Sequence, residues 1–294
     1  NYTRCDTQGH GFALSSILYT RKRIVKIILS RKGFDSSNGS IPSPILPDGT
    51  LLSLPIPAKF DSISFDDLNY NGVLFSDILR QLKGKEDKTN HYNCHLDPDI
   101  RENLRNTPVS NWRAAFGQIK SSQGLLRNQN VSIGDLFLFF GWFRQTEGDI
   151  QNGTLHFKKG SPDLNIIYGY LQIGNMMNDK ESLQNMYPFH PHSCDHMSNL
   201  QSNMLYIPSE NLSFLPQEKG YGTFNFHDDR VLTMNGKSRS VWKEIPALMP
   251  ENINGNHKNS AKDCGLKYSG IWQEKVLLEN ELSTSWAKEL FLLK

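Results

Sequence analysis

The sequence predicts an α+β protein built on a mixed or mostly antiparallel, barrel-like sheet with helices at its periphery. Candidate strands outnumber candidate helices, and the two do not alternate, which argues against a doubly wound βαβ array. The two strongest apolar runs, 136–143 and 166–174, flank the His156–Lys159 segment and read as successive partners in one central sheet. A third run, at 24–29, is short, β-branched and apolar, as a buried strand should be.

That first strand empties into Ser30-Arg31-Lys32-Gly33-Phe34-Asp35-Ser36-Ser37-Asn38-Gly39, a polar loop around two glycines. Pro42, Pro44, Pro47, Pro55 and Pro57 follow, with Pro47-Asp48-Gly49 as a turn. Prolines remove donors and fix φ, so this segment should lie extended over the core. Residues 62–65 can form a short strand. Residues 75–82 place Ile78, Leu79 and Leu82 on one helical face, with Ser76 or Asp77 near its start. A charged loop at 84–90 leads into 91–99, read as a strand ending at Asp97-Pro98, then a helix start whose dipole Asp99 complements. Trp112, Ala115, Phe116, Ile119 and Leu126 recur at helical spacing, which predicts a core-packing helix over 111–127. A short helix at 178–186 precedes a histidine-rich turn at 187–196. Residues 203–207, 222–226 and 231–234 are strand candidates. Asn235-Gly236 marks a hairpin, 241–248 and 270–278 are edge strands, and 283–293 closes the chain as a helix.

At 294 residues the chain can bury a substantial core. With 37% hydrophobic and 21% charged residues and no low-complexity tract, it fits a folded cytoplasmic protein, and no apolar run approaches the ~18 residues of a membrane span. Cys5, Cys94, Cys194 and Cys264 form no C-x-x-C pair, so reduced thiols are expected. Residues 1–24 fit nothing downstream and are expected to be upstream sequence ahead of one domain at 25–294. They hold four basic residues against one acidic. The rest then carries 28 basic and 29 acidic residues, or −1. So balanced a body lacks the excess needed to hold duplex DNA through phosphates. A nucleotide or single base is the better-matched partner. No G-x-x-x-x-G-K-[ST], G-x-G-x-x-G, H-E-x-x-H or G-x-S-x-G occurs, which argues against a P-loop kinase, a dinucleotide oxidoreductase, a zincin and an ordinary α/β-hydrolase.

Three constellations could carry chemistry. On a strand end His95 and Asp97 point to the same side and could act as acid and base or hold a metal; Asp99 is either a third carboxylate or a helix cap. With Arg31, Lys32 and Asp35 they would line a mixed-charge pocket for phosphate plus an activated water or base. His190-Pro191-His192-Ser193-Cys194-Asp195-His196 would, if extended, put its three histidines and its cysteine on one side. His190 and His192 are the divalent-metal candidates, with a third ligand from elsewhere; the alternative is ordinary loop histidines. Lys237-Ser238-Arg239-Ser240-Val241-Trp242 offers cations and an aromatic for a phosphate and a stacked base, or else an edge strand with solvated charges.

The runs Lys26 to Gly39, Ile41 to Gly49, His95 to Asp99, Gly134 to Arg144 and Arg239 to Trp242 resemble the third family of nucleotide modification associated domains, found in phage and bacterial genomes. The resemblance covers nearly everything after residue 24. It implies a role in modifying nucleotides or nucleic-acid bases, beside partner enzymes of such a pathway, but brings no reaction or catalytic residue with it. Gly134-Asp135 leading into an apolar strand is also similar to the barrel hairpin of PUA-like EVE and ASCH domains, which bind RNA, modified bases or nucleotides. Two functions are therefore expected. One is an enzyme with Asp35, His95, Asp97 and Asp99 as catalytic groups and Arg31, Lys32, Ser36, Asn38, Trp142, Arg144 and Arg239 as ligand contacts. The other is a non-catalytic reader of modified bases using Trp142, Arg144 and Tyr168.

Overall fold

The computed structural model describes residues 25–84, 93–255, 258–261, 264–270 and 272–293. The apolar runs assemble into a nine-stranded mixed sheet curled into a half-barrel. Its main path runs Glu274–Val276, Ile27–Arg31, Leu136–Glu147, Leu164–Met177, Met204–Pro208, Phe116–Gln118. Ile27–Arg31 is parallel to Leu136–Glu147, with Ile28 opposite Phe137, and the other pairs on that path are antiparallel. Ser43–Ile45, from the proline-punctuated segment, adds a second parallel partner to Leu136–Glu147.

Both faces of this sheet are covered, which is why its strands read as unbroken apolar runs rather than alternating ones. Ile27, Leu29, Leu136, Leu138 and Phe140 bury one face beneath Trp242, Leu248 and the C-terminal helix Glu281–Leu292. Ile28, Phe137, Phe139 and Leu171 bury the other against Phe116 and Tyr206. The pairing of the two longest strands shifts between Ile167 and Gly169, a bulge that adds twist and helps the sheet curl. A third apolar cluster, including Phe34, Leu54, Phe65, Phe75, Cys94 and Leu96, seats the loop segments that carry the site.

The helices Phe75–Lys83, Lys180–Met186 and Glu281–Leu292 form where periodicity predicts them. The last two are capped by Asp179 and Asn280, whose side chains accept from the backbone N–H of Ser182 (2.8 Å) and Ser283 (2.9 Å). The helix predicted over 111–127 is corrected. Ala115 bridges Asp99, Phe116–Gln118 is a strand beside Met204–Pro208, and only Lys120–Asn128 is helical. Tertiary packing overrides the period: Phe116 meets Phe137, Phe139 and Tyr206 at centroid distances of 4.8, 5.0 and 5.8 Å. Each such contact contributes about 0.5–1.5 kcal/mol beyond its area. Asp99 likewise sits in an extended bridge and caps no helix. Residues 62–65 give a bridge at Ser64 and a 3₁₀ turn, and 231–234 make isolated bridges rather than a strand. The 1–24 segment and most of the charged loop at 84–90 lie outside the described residues, as do His91 and Tyr92.

Candidate active site

The Pro-rich segment ends in Ile56–Pro57, which pairs antiparallel with Cys94–His95 and puts Ile56 opposite His95. The chain then turns at 58–61, where the Asp61 N–H donates to the Ala58 carbonyl. Strand alternation sends Leu96 into the loop core and His95 and Asp97 together into a cavity. Asp61, buried at 4% exposure, accepts a 2.6 Å hydrogen bond at Oδ2 from His95 Nδ1. Because the carboxylate only accepts, a proton sits on Nδ1; in the neutral ring the lone pair is then on Nε2, which faces Asp97 Oδ2 at 4.0 Å.

His192 arrives from the histidine-rich turn and is fixed the same way. Asn203 Nδ2 donates to the His192 carbonyl (2.9 Å), so Asn203 Oδ1 faces His192 Nδ1 at 2.7 Å and takes its proton. His192 Nε2 is thereby left as a bare acceptor, 3.9 Å from Asp97 Oδ2. Burial, with the neighbouring His95 and His190, pushes the His192 pKa down to about 3, so the ring is neutral at pH 7. Burial alone would raise the Asp97 pKa. The adjacent His190 Nε2–H and the positive charge the three histidines take up in acid outweigh it and hold Asp97 below the ordinary carboxylate range. Asp97 Oδ1 also accepts from the Gly117 N–H at 2.7 Å.

His190 has a different duty. Its Nδ1 accepts from the His192 N–H at 3.2 Å, which leaves the proton on Nε2, 3.5 Å from Asp97 Oδ1. It stands against the carboxylate outside the cluster of His95, Asp97 and His192, where the sequence paired it with His192 as a metal ligand. The expected third ligand from elsewhere has its counterpart in His95 and Asp97. The donor atoms of His95, Asp97 and His192 lie within 4.8 Å of one another, two imidazoles and a carboxylate able to hold a divalent cation with positions left open. The expected extended run is corrected as well. Pro191–Ser193 is a 3₁₀ turn and Asp195–Ser198 a helical one, so His190 and His192 point to Asp97 while Cys194 and His196 point to Asp61.

Asp61, His95, Asp97 and His192 form the floor of a cavity of about 320 Å³ whose wall includes Arg31, Lys32, Asp35, Asn38 and Gln118. Lys32 Nζ is held 3.5 Å from Glu274 Oε1 and 4.7 Å over the Phe116 ring. Glu274, 1% exposed, also accepts from Ser30 Oγ (3.0 Å) and from Gln118 Nε2. Arg31 Nη2 lies 3.8 Å from Asp35 Oδ2. Asp35 Oδ1 accepts from the backbone of Ser37 and Asn38 and from Asn38 Nδ2, so it closes its own loop. Gly117 is required where it stands: a Cβ there would lie 2.2 Å from the His192 ring.

Other expected residues fall outside this floor. Asp99, fully buried, pairs with Arg105 Nη2 at 2.7 Å and accepts from Trp112 Nε1 at 3.1 Å; it is a structural anchor of the 99–115 bridge. Arg239 and Trp142 line a neighbouring cavity of about 150 Å³ that shares Arg31 and Asp35 with the first. There the guanidinium stacks 4.0 Å over the indole and donates to Ser36 Oγ. Arg144 bonds Asp163 at 2.6 and 2.8 Å beside Phe157 and lines neither cavity. Tyr168 is buried, and burial raises its hydroxyl pKa far above the ordinary value. Sequence reasoning missed Asp61, Gly117, Asn203 and Glu274, for which no local motif speaks.

No curated protein and no solved structure matches the chain. A family model described as Nucleotide modification associated domain 3 matches residues 26–278, which takes in every residue of the cavity floor and wall. The chain therefore belongs to the family of nucleotide modification associated domain 3.

Proposed function

We propose that the domain is an enzyme that modifies a nucleotide or a nucleic-acid base at a metal centre held by His95, Asp97 and His192. The observation that carries this reading is the pair of locked tautomers. Asp61 and Asn203 each take an Nδ1 proton, so two bare imidazole nitrogens and one carboxylate converge. Locking by an outer carboxylate or amide is how metal-ligating histidines are oriented, and here both unlocked nitrogens are turned to the same carboxylate. Arg31 and Lys32 on the wall would receive a phosphate, while a bound cation with open positions would polarise a base carbonyl or lower the pKa of a water.

A non-catalytic reader finds less support. Arg239 already lies over the Trp142 ring and Tyr168 is buried, so the two do not form an open cage. The balanced charge of residues 25–294 favours a single nucleotide or an extruded base over long stretches of duplex. The cytoplasm and a DNA-modification pathway with its partner enzymes are the corresponding setting, and no helix among the described residues is long and apolar enough to cross a membrane.

Calorimetric titration of nucleoside monophosphates into metal-loaded and chelated protein tests the proposal. Binding should need both metal and Arg31, and should change little between low and physiological salt. Binding that is equal in wild type, His192→Ala and Arg31→Ala proteins would remove this cavity as the site.

A further inference from the structure

Beside the centre formed by His95, Asp97 and His192 lies a second set of donors, of which the proposed chemistry uses only Asp61, and only through Oδ2. Asp61, Cys194 and His196 each offer one ligand atom, and the three atoms lie within 4.8 Å of one another. We propose that they bind a second cation of the zinc class, at the mouth of the same cavity.

The case begins with how Asp61 divides its oxygens. Oδ2 is engaged by His95 Nδ1 at 2.6 Å, whereas Oδ1 faces His196 Nε2 at 3.4 Å. A tetrahedral cation with bonds of about 2.1 Å needs its donors about 3.4 Å apart, so this pair already has the spacing of one edge. Cys194 stands two residues before His196. The 3₁₀ turn and the short helix after it bring both side chains round to the same carboxylate. Cys194 Sγ now donates to the Pro191 carbonyl, a bond that a thiolate on a cation would give up. One thiolate, one imidazole and one carboxylate suit Zn²⁺ better than Mg²⁺ or Ca²⁺, which take oxygen ligands.

The two positions are separate. The His95 ring stands between them, with Nδ1 toward Asp61 and Nε2 toward Asp97. They are nevertheless coupled, because a cation on Asp61 Oδ1 draws charge away from the oxygen that holds the His95 proton. The second position is also the more open one: the His196 side chain is 40% exposed, and His196 and Phe60 both line the cavity. A three-ligand site at that mouth keeps a coordination place for an anionic oxygen, such as a phosphate of the substrate in the reading above.

Cobalt replacement tests this without reference to activity. Full-length protein, stripped and reloaded with Co²⁺, should bind two equivalents and show a thiolate-to-cobalt charge-transfer band. The band should vanish in Cys194→Ser and persist in Cys264→Ser, and metal content should fall from two equivalents to one in Cys194→Ser and in His196→Ala. His192→Ala should lose the other equivalent while keeping the band, which separates the failure of this site from the failure of the first. Cobalt-loaded wild type without a thiolate band, or Cys194→Ser protein that still holds two equivalents, would overturn the proposal.

Discussion

The two cavities that share Arg31 and Asp35 are made of similar residues and differ in what those residues have left over. In the smaller one, Arg239 lies on Trp142 and donates to Ser36, so its cation is already engaged by its neighbours. In the larger one, second partners take one nitrogen of His95 and of His192 and leave the other facing Asp97. A cluster of charged and aromatic side chains is not yet a site. What makes one is a set of unspent lone pairs held in place by bonds on their far side.

The largest effect expected from this contrast is at the floor. His95→Ala or His192→Ala should abolish metal at the first position, and with it turnover, while leaving the fold intact by circular dichroism. Next come residues that act through the ligands. Asn203→Ala and Asp61→Ala release the tautomer locks and should weaken metal binding at the first position by about 10–100-fold. Gly117→Ala should match them for a steric reason: its Cβ occupies the space of the His192 ring, and such overpacking costs about 1–3 kcal/mol. If Asn203→Ala bound metal as tightly as wild type, the distinction between locked and ordinary histidines would collapse.

The wall gives a smaller effect and a sharper contrast. Arg31→Ala removes a charge-assisted contact and should weaken nucleotide binding by about 10–100-fold, from about 1.5–3 kcal/mol. Arg239→Ala should leave binding nearly unchanged and remove about 1 kcal/mol of folding stability through the lost stack on Trp142. The reverse ranking would make the smaller cavity the ligand site.

Acid stability is the mildest of the tests. His192 titrates at about 3 when folded and near 6.5 when unfolded, so between these values the unfolded chain binds more protons. Metal-free protein should therefore be fully stabilised by this residue above pH 6.5. It should lose that stability as pH falls toward 3, at no more than about 1.4 kcal/mol per unit. Asp97 adds loss of the same sign below its unfolded value near 4. Denaturant melts of wild type and His192→Gln at pH 7 and pH 4.5 should diverge, with the variant less sensitive to acid.

How much of this the chain disclosed depended on distance along it. His95 and Asp97 are two residues apart, and alternation alone places them side by side. The first strand, its basic loop and the central sheet are likewise local patterns, and they fold as expected. Asp61 and Asn203 stand 34 and 11 positions from their histidines along the chain, in different elements, where no single period links them. The spacing of Trp112, Ala115, Phe116 and Ile119 suggested a helix, yet a place among Phe137, Phe139 and Tyr206 decided for a strand. That strand puts Gly117 against His192 and its N–H on Asp97, so the misread element is also one that builds the site.

Metal stoichiometry in a Cys194→Ser background tests the central claim most directly, because it counts the first position alone. After reconstitution and removal of loose ions, this protein should hold one equivalent per chain, and adding His192→Ala should reduce it to none. An unchanged equivalent in the double variant, or none in Cys194→Ser itself, would contradict a metal centre at His95, Asp97 and His192.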